Sequence, residues 1–353
     1  MKLQFATHTS IFALCSILIL AGCAASGGGK GSAAQTAAPE APVSKTLTVT
    51  AINPEDLISN NNTVVVLTAY VRLLVEGTAF VSQQGGYKTG SSSNAVKASA
   101  KYKVVGIDKK LAQEIAGRVY DDFVAKLRAA GYTVLTYKDI RDRDYVKDAD
   151  RVKADATRGL PVETSRGGNE TFVVAAPSDE QQFEGGMNGG VFNQFIHFGK
   201  PRFKDATVII PQYTITAPQV WGEADASYST ISAAIKTEPS MQLKSAFAPW
   251  MGAPVVRMMH GIPGVTTNGA IKITEKVGAL VKAVDEPTAA STTANVLNAG
   301  LQGLAMLTGA GTIKQSSSEY TFTIDRNAYL AGAVKGASDF NAKVAEVAVA
   351  AKK

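Results

Sequence analysis

The chain has 353 residues, of which 45% are hydrophobic and 19% charged, and its formal net charge is +6. This composition is close to the globular average and excludes collagen-like, low-complexity and wholly disordered chains. Two cysteines are too few for a disulfide framework, and so mild a positive charge does not indicate a nucleic-acid-binding protein.

Residues 1–22 have the parts of a secretory signal peptide. Lys2 is the only charged side chain, an apolar core runs from Ile11 to Leu20, and small residues follow it. About ten apolar residues are too few to span a bilayer as a helix, which takes about twenty. We therefore interpret this segment as a cleaved signal.

The motif Leu20-Ala21-Gly22-Cys23 resembles the lipobox of bacterial lipoproteins. The resemblance implies that a signal peptidase cuts before Cys23 and that this cysteine carries fatty acyl chains such as palmitate, which would anchor the protein to a membrane. Because Ala24 rather than aspartate follows, it also implies the outer membrane, with the periplasmic face as the expected location. The alternative is an ordinary signal with a chance cysteine. Cys15 lies in the removed part, so the mature chain would form no disulfide.

Residues 23–45 are almost all small or polar and contain nothing large to bury, so we predict a disordered tether with a reach on the order of 25 Å. From residue 46 to 353 the composition predicts one large domain, or two closely packed subdomains. The mixed charges from Lys138 to Arg158 are typical of a solvated helix or loop.

A strand, a helix and a second strand are predicted between Lys103 and Tyr137. Lys103–Ile107 is apolar, Asp108 can cap a helix, and apolar residues then recur every fourth position from Leu111 to Leu127. Gly131 ends the helix, and Val134–Tyr137 is the second strand. Such a unit normally makes a right-handed crossover between parallel strands of one sheet.

Most other segments are predicted to be strands or loops. Thr63–Val81 is one long strand, or two broken near Gly77, and Gln83–Asn94 is a loop. Further strands are Thr171–Ala175, Thr207–Ile210 (at an edge or a bend because Pro211 follows) and Tyr320–Ile324. Val255–Met259 and Ala270–Thr274 are predicted to form an antiparallel pair. The continuation to Val284 fits either a strand or a helix, and we favour a strand because Gly278 would weaken a helix. Phe183–Phe203 is a glycine-rich loop that either binds a partner or packs against the domain.

Two helices are predicted near the C-terminus. The first is Asn295–Leu307. The second begins at Asp325 and is amphipathic, with Leu330, Val334, Phe340, Val344 and Val347 on its apolar side. Together these elements predict an α+β fold with a mixed sheet, a parallel βαβ unit, antiparallel strands and a C-terminal helix.

This order of elements resembles the periplasmic domains of the curli-secretion-channel family and of flagellum-associated outer-membrane lipoproteins. The resemblance is carried by the lipobox, by the strand-helix-strand unit that ends at Tyr137, and by the strand Tyr320–Ile324 that leads into a C-terminal helix. It implies an envelope protein that works in an oligomeric assembly.

Motifs for catalysis are not found. The two histidines of the mature chain, His197 and His260, lack the spacing of metal ligands, and no serine or cysteine nucleophile motif is present. We expect no cofactor and no metal ion. Four aromatic residues are candidates for a sugar-binding platform, with burial in the core as the alternative: Tyr213, Trp221, Tyr228 and Trp250.

The sequence therefore predicts a non-enzymatic lipoprotein of the outer membrane with a structural or assembly role, associated with secretion or with a surface appendage. Its expected partners are the membrane, envelope proteins and further copies of itself, which the strands Thr207–Ile210 and Tyr320–Ile324 would bind if they are open edges. The first alternative is a peptidoglycan- or polysaccharide-binding lipoprotein. The second is an envelope hydrolase that uses a pair of carboxylates.

Overall fold

A computed structural model describes residues 46–53, 62–85, 94–184, 206–226, 231–251, 262–274, 276–282 and 313–352. The signal, the lipobox and the tether lie outside these ranges. So do the predicted strand Val255–Met259, the predicted helix Asn295–Leu307, and most of the predicted loops Gln83–Asn94 and Phe183–Phe203.

The described residues form sixteen strands, four α-helices and one 3-10 turn. The strands are β1 (Val49–Ile52), β2 (Thr63–Val66), β3 (Tyr70–Gly85), β4 (Asn94–Val105), β5 (Thr133–Thr136), β6 (Val162–Thr164), β7 (Glu170–Ala175), β8 (Thr207–Ile209), β9 (Gln212–Thr216), β10 (Gln219–Ala226), β11 (Ile231–Glu238), β12 (Met241–Met251), β13 (Gly264–Thr267), β14 (Ile271–Thr274), β15 (Gly278–Lys282) and β16 (Ile313–Ile324). The helices are α1 (Lys109–Ala129), α2 (Tyr137–Ile140), α3 (Asp144–Lys147) and α4 (Arg326–Ala351), and the 3-10 turn is Asp179–Gln181.

Fourteen strands are hydrogen-bonded into one mixed sheet, whose longest path runs β15-β16-β4-β3-β9-β12-β8-β2-β5. Four pairs are parallel, namely β2 with β5, β2 with β8, β3 with β9 and β4 with β16. The remaining pairs of the sheet are antiparallel. Strands β10 and β11 form a separate two-stranded sheet. The predicted α+β class with a mixed sheet is confirmed.

Helices α1 and α4 begin as the sequence predicts. Asp108 accepts a hydrogen bond from the backbone N–H of Leu111 at 2.6 Å, and Asp325 accepts from the backbone N–H groups of Asn327 and Ala328 at 3.0 Å each. Each aspartate thus satisfies N–H groups that have no partner inside the helix. Gly131 follows the end of α1 with φ +82, a conformation that favours glycine.

The main hydrophobic core lies between the sheet and these two helices. The apolar stripe of α1 is buried, and on α4 Phe340 and Val344 are completely buried. The predicted residues Leu330, Val334 and Val347 are only partly buried. Small residues occupy the inner side of α4 instead: a Cβ atom on Gly336 would lie 2.4 Å from Cδ1 of Ile273. The absence of that atom lets α4 lie close to β14.

A chain of polar groups fixes α1, α4 and β9 relative to one another. The Tyr213 hydroxyl donates to Oδ1 of Asn341 at 2.5 Å, and Nδ2 of Asn341 donates to Oδ2 of Asp122 at 2.8 Å. Lys126 and Ser338 both bind the other oxygen of Asp122, at 2.5 and 3.0 Å. Burial raises the pKa of Tyr213 well above its ordinary value, so this hydroxyl remains a neutral donor.

Strand β4, helix α1 and strand β5 all form, and both strands belong to one sheet, although they are not neighbours in it. Strand β4 begins at Asn94, earlier than predicted, and pairs with β3 on one side and with β16 on the other. Both of its edges are therefore occupied, and β5 adds to β2 instead. Each strand of the unit thus lies parallel to a strand from elsewhere in the chain.

Thr63–Val81 forms two strands rather than one, but the break lies between β2 and β3 and not near Gly77. There the carbonyl of Leu67 accepts from the Gln181 side chain at 3.1 Å, and the N–H of Tyr70 donates to the carbonyl of Pro211 at 2.9 Å. Gly77 instead continues β3 opposite Tyr102, whose ring occupies the space that a Cβ would need.

Neither of the two predicted open edges is an edge. Strand β8 lies between β2 and β12, and β16 lies between β15 and β4. Val208, Ile209 and Tyr320–Thr323 are paired with strands on both sides, so these segments are not open edges. Elsewhere, β7 confirms Thr171–Ala175, and β14 and β15 confirm the choice of strand over helix after Ala270.

Candidate functional site

Several residues that the sequence singles out are outside the described part of the chain. These are the lipidation candidate Cys23, both histidines (His197 and His260) and Tyr228. Among the described residues, no group of histidine, cysteine, aspartate and glutamate side chains could hold a metal ion. No helix in the described ranges is long and apolar enough to cross a membrane.

The three aromatic residues proposed for sugar binding that lie in the described ranges are not brought together. Tyr213 and Trp250 are 0% and 1% exposed and belong to the main core, where Tyr213 packs edge-on against Phe340. Trp221 lies apart from them on β10, where its indole N–H donates to Glu223 at 3.2 Å. The alternative of buried aromatics is therefore correct for Tyr213 and Trp250, because a sugar cannot stack on a ring inside the core.

One end of the large sheet consists of four strands, and we call this part the distal sheet. It consists of β15, β16, β4 and the part of β3 from Glu76 to Gly85. Successive side chains of a strand point to opposite faces, so the distal sheet has two distinct faces. The inner face carries the buried residues Ala79, Val81, Ala98 and Ala100.

The opposite face of the distal sheet, which we call the outward face, is open. The strand registers place Phe80 beside Ser99, Lys103 beside Thr321, and Thr321 beside Val281. Phe80, Val105 and Val281 are 40%, 42% and 62% exposed, and they are three of the five large hydrophobic residues exposed in the described ranges. Lys97, Lys101 and Lys103 alternate between them along β4. This face therefore combines apolar and cationic groups.

A shallow groove of about 550 Å³ adjoins the outward face. Charged residues of both signs line it, namely Glu76, Lys101, Lys103 and Glu319. The Glu76 carboxylate is 2.7 Å from the Arg158 guanidinium. A groove with this lining offers hydrogen-bonding and ionic groups to a polar surface.

A second cavity of about 450 Å³ lies beside the start of α1, with Leu160, Pro161 and Val152 among its lining residues. Its carboxylate Asp179 accepts from Lys109 at 2.6 Å and from Gln113 at 2.8 Å. The hydrogen bond from Lys109 lowers the pKa of Asp179. A lowered pKa keeps this carboxylate ionised, so Asp179 does not suit the role of a general acid.

Two ion pairs lie near the base of the distal sheet. Nε of Arg72 is 3.0 Å from Oε2 of Glu163, and the two side chains are only 14% and 16% exposed. Nζ of Lys244 is 2.6 and 2.5 Å from the two oxygens of Glu170. Burial raises the pKa of Glu163, and the attraction of Arg72 only partly opposes this.

Replacing Arg72 by methionine is expected to lower the free energy of unfolding by about 3 kcal/mol, because it leaves the buried Glu163 without its cation. The double variant Arg72→Met, Glu163→Met should be closer to the wild type, since no buried charge remains. The loss in the single variant should diminish in acid, where Glu163 is protonated. Urea unfolding of both single variants, Arg72→Met and Glu163→Met, and of the double variant at two pH values measures these effects. A double variant whose loss of unfolding free energy equals the sum of the losses in the two single variants would contradict this account.

The outward face was not predicted, because the strand was predicted to begin at Lys103. The alternation of small and polar residues from Val96 to Val105 is the signal that could have shown it. Strands β10, β11 and β12 were also not predicted. No family model, no curated protein and no solved structure matches the chain.

Proposed function

We propose that this protein is a lipid-anchored lipoprotein of the bacterial outer membrane that has a structural or assembly role in the cell envelope, as part of an oligomeric complex. Attachment through Cys23 rests on the motif Leu20-Ala21-Gly22-Cys23. A periplasmic position and an association with secretion or an appendage remain parts of the same proposal. Three acyl chains would hold the domain at the membrane essentially permanently.

The observation that carries the assembly role is the outward face of the distal sheet. An open sheet face that carries exposed apolar residues beside charged ones is a candidate surface for binding another macromolecule. Phe80, Val105 and Val281 share one face of one sheet, and lysines lie between them. Such a mixture suits a protein partner, because apolar contacts supply affinity and charges supply orientation.

Photo-crosslinking in intact cells tests the assembly role. A benzophenone amino acid at Val281 is expected to crosslink the protein to an envelope protein or to a second copy of this chain, which mass spectrometry identifies. The same amino acid at Val349, which is 40% exposed on α4 and lies outside the outward face, serves as the matched control. If position 281 forms no adduct, or only the adducts that position 349 forms, the assembly role is wrong.

A further inference from the structure

The hairpin of β10 and β11 is joined to the rest of the fold in an unusual way. Its two strands pair with each other from Gln219 opposite Glu238 to Ala226 opposite Ile231, and with no other described strand. Pro218 precedes the hairpin and Pro239 follows it. Because proline has no backbone N–H, strand pairing is interrupted at both connections. The hairpin is therefore a unit attached by two short hinges.

The underside of the hairpin packs on the inner face of the distal sheet. Ala224, Ala233 and Ile235 pack against Val81 and Ala98. Nearer the hinges, Val220 packs with a second cluster whose other members include Leu74, Ala79, Ala100 and Phe172. Most of these side chains are small, so the contact is flat. This packing and an ion pair between Glu238 of β11 and Lys272 of β14 (2.5 Å) hold the hairpin on the sheet.

Buried polar groups without partners lie close to both hinges. Thr216 and Gln242 face each other on β9 and β12. Gln219 is the first residue of β10, and Ser240 lies on the connection between β11 and β12. The side chains of Thr216, Gln219 and Ser240 are 2%, 2% and 0% exposed, and none of their polar atoms has a hydrogen-bond partner. Unpaired buried groups disfavour the closed arrangement, and they would gain hydrogen bonds to water if the hairpin moved away.

From these three observations we infer that the hairpin of one copy exchanges with that of another, so that the inner face of the distal sheet binds the β10–β11 hairpin of a second copy of this chain. The surface already fits that hairpin, since the chain's own hairpin occupies it. Exchange between identical copies preserves every closed contact and alters only the hinges, which makes it a low-cost route to a dimer. This contact uses the inner face, and it does not depend on a lipid anchor.

Cysteine crosslinking between two co-expressed chains tests this exchange. Both full-length chains carry Cys15→Ser and Cys23→Ser, which leaves no other cysteine. One also carries Ala98→Cys on β4, the other carries Ala233→Cys on β11, and tags of different size distinguish them. Since β11 packs on β4, oxidation is expected to give a disulfide-linked heterodimer, visible in a non-reducing gel and lost on reduction.

Two controls make the result specific. In the first, Ala234→Cys replaces Ala233→Cys; Ala234 is exposed on the other side of the hairpin, so the heterodimer should be lost. In the second, Ala98→Cys and Ala233→Cys are in the same chain, where a bond within the chain reports the closed contact. A heterodimer with position 233 and not with 234 supports the exchange. No heterodimer, equal crosslinking at both positions, or no bond in the same-chain variant overturns it.

Discussion

Replacement of Cys23 by alanine is expected to abolish fatty acylation and to release the protein from the membrane, or to leave its precursor uncleaved. The thiol of Cys23 is the group that the lipobox resemblance assigns to acylation, and alanine offers no atom to which an acyl chain can be attached. Each buried CH₂ contributes about 0.8 kcal/mol to membrane binding, so the loss of two or three chains removes essentially all of the affinity.

Metabolic labelling with an alkyne fatty acid, followed by membrane fractionation, measures both effects. Cys15→Ala is the matched control: it removes the only other cysteine, which lies within the apolar core of the signal, and it should leave the label unchanged. Undiminished label in the Cys23→Ala variant would contradict the lipoprotein assignment. Equal loss of label in both variants would show that Cys23 is not the specific acceptor.

Truncation of Phe340 to alanine is expected to lower the free energy of unfolding by about 3 to 5 kcal/mol, because it removes a completely buried ring between α4 and the sheet. Phe340 also packs edge-on against Tyr213, with ring centroids 5.9 Å apart. Tyr213 in turn binds Asn341, so a cavity at this position loosens the polar chain that connects α4 to α1.

Urea unfolding of the two variants Phe340→Ala and Phe80→Ala provides a matched comparison. Phe80 is 40% exposed on the outward face, so its truncation should cost less than about 1 kcal/mol. The comparison separates a residue that stabilises the fold from one that is available to a partner. Equal losses in the two variants would contradict the assignment of Phe340 to the core and of Phe80 to the surface.

The outward face and the hinged hairpin assign different tasks to the two faces of the distal sheet. Under the two proposals, the outward face would bind an envelope partner, whereas the inner face would bind the hairpin of a second copy of this chain. Variants at Val281 and at Ala98 therefore address separate contacts. A protein that lost one of them would still be able to make the other.

The local elements with strong signals could be predicted from the sequence alone. Helix α1 has an apolar residue in every turn and an aspartate that caps it, and α4 has the same cap at Asp325. Periodicity and capping act within a few residues of the chain, so they are visible without knowledge of the fold. The resemblance to a lipobox also rests on a linear motif, and it stays a prediction.

Strand partners and exposure were decided only by the tertiary structure. Nothing near Thr207 or Tyr320 reveals that β8 and β16 each lie between two strands, because their partners are far away in the chain. Val281 and Val104 are both valines in strands, yet the first is 62% and the second 4% exposed. Which face of a strand is covered depends on the elements packed against it, and pairing over long sequence separations determines those elements.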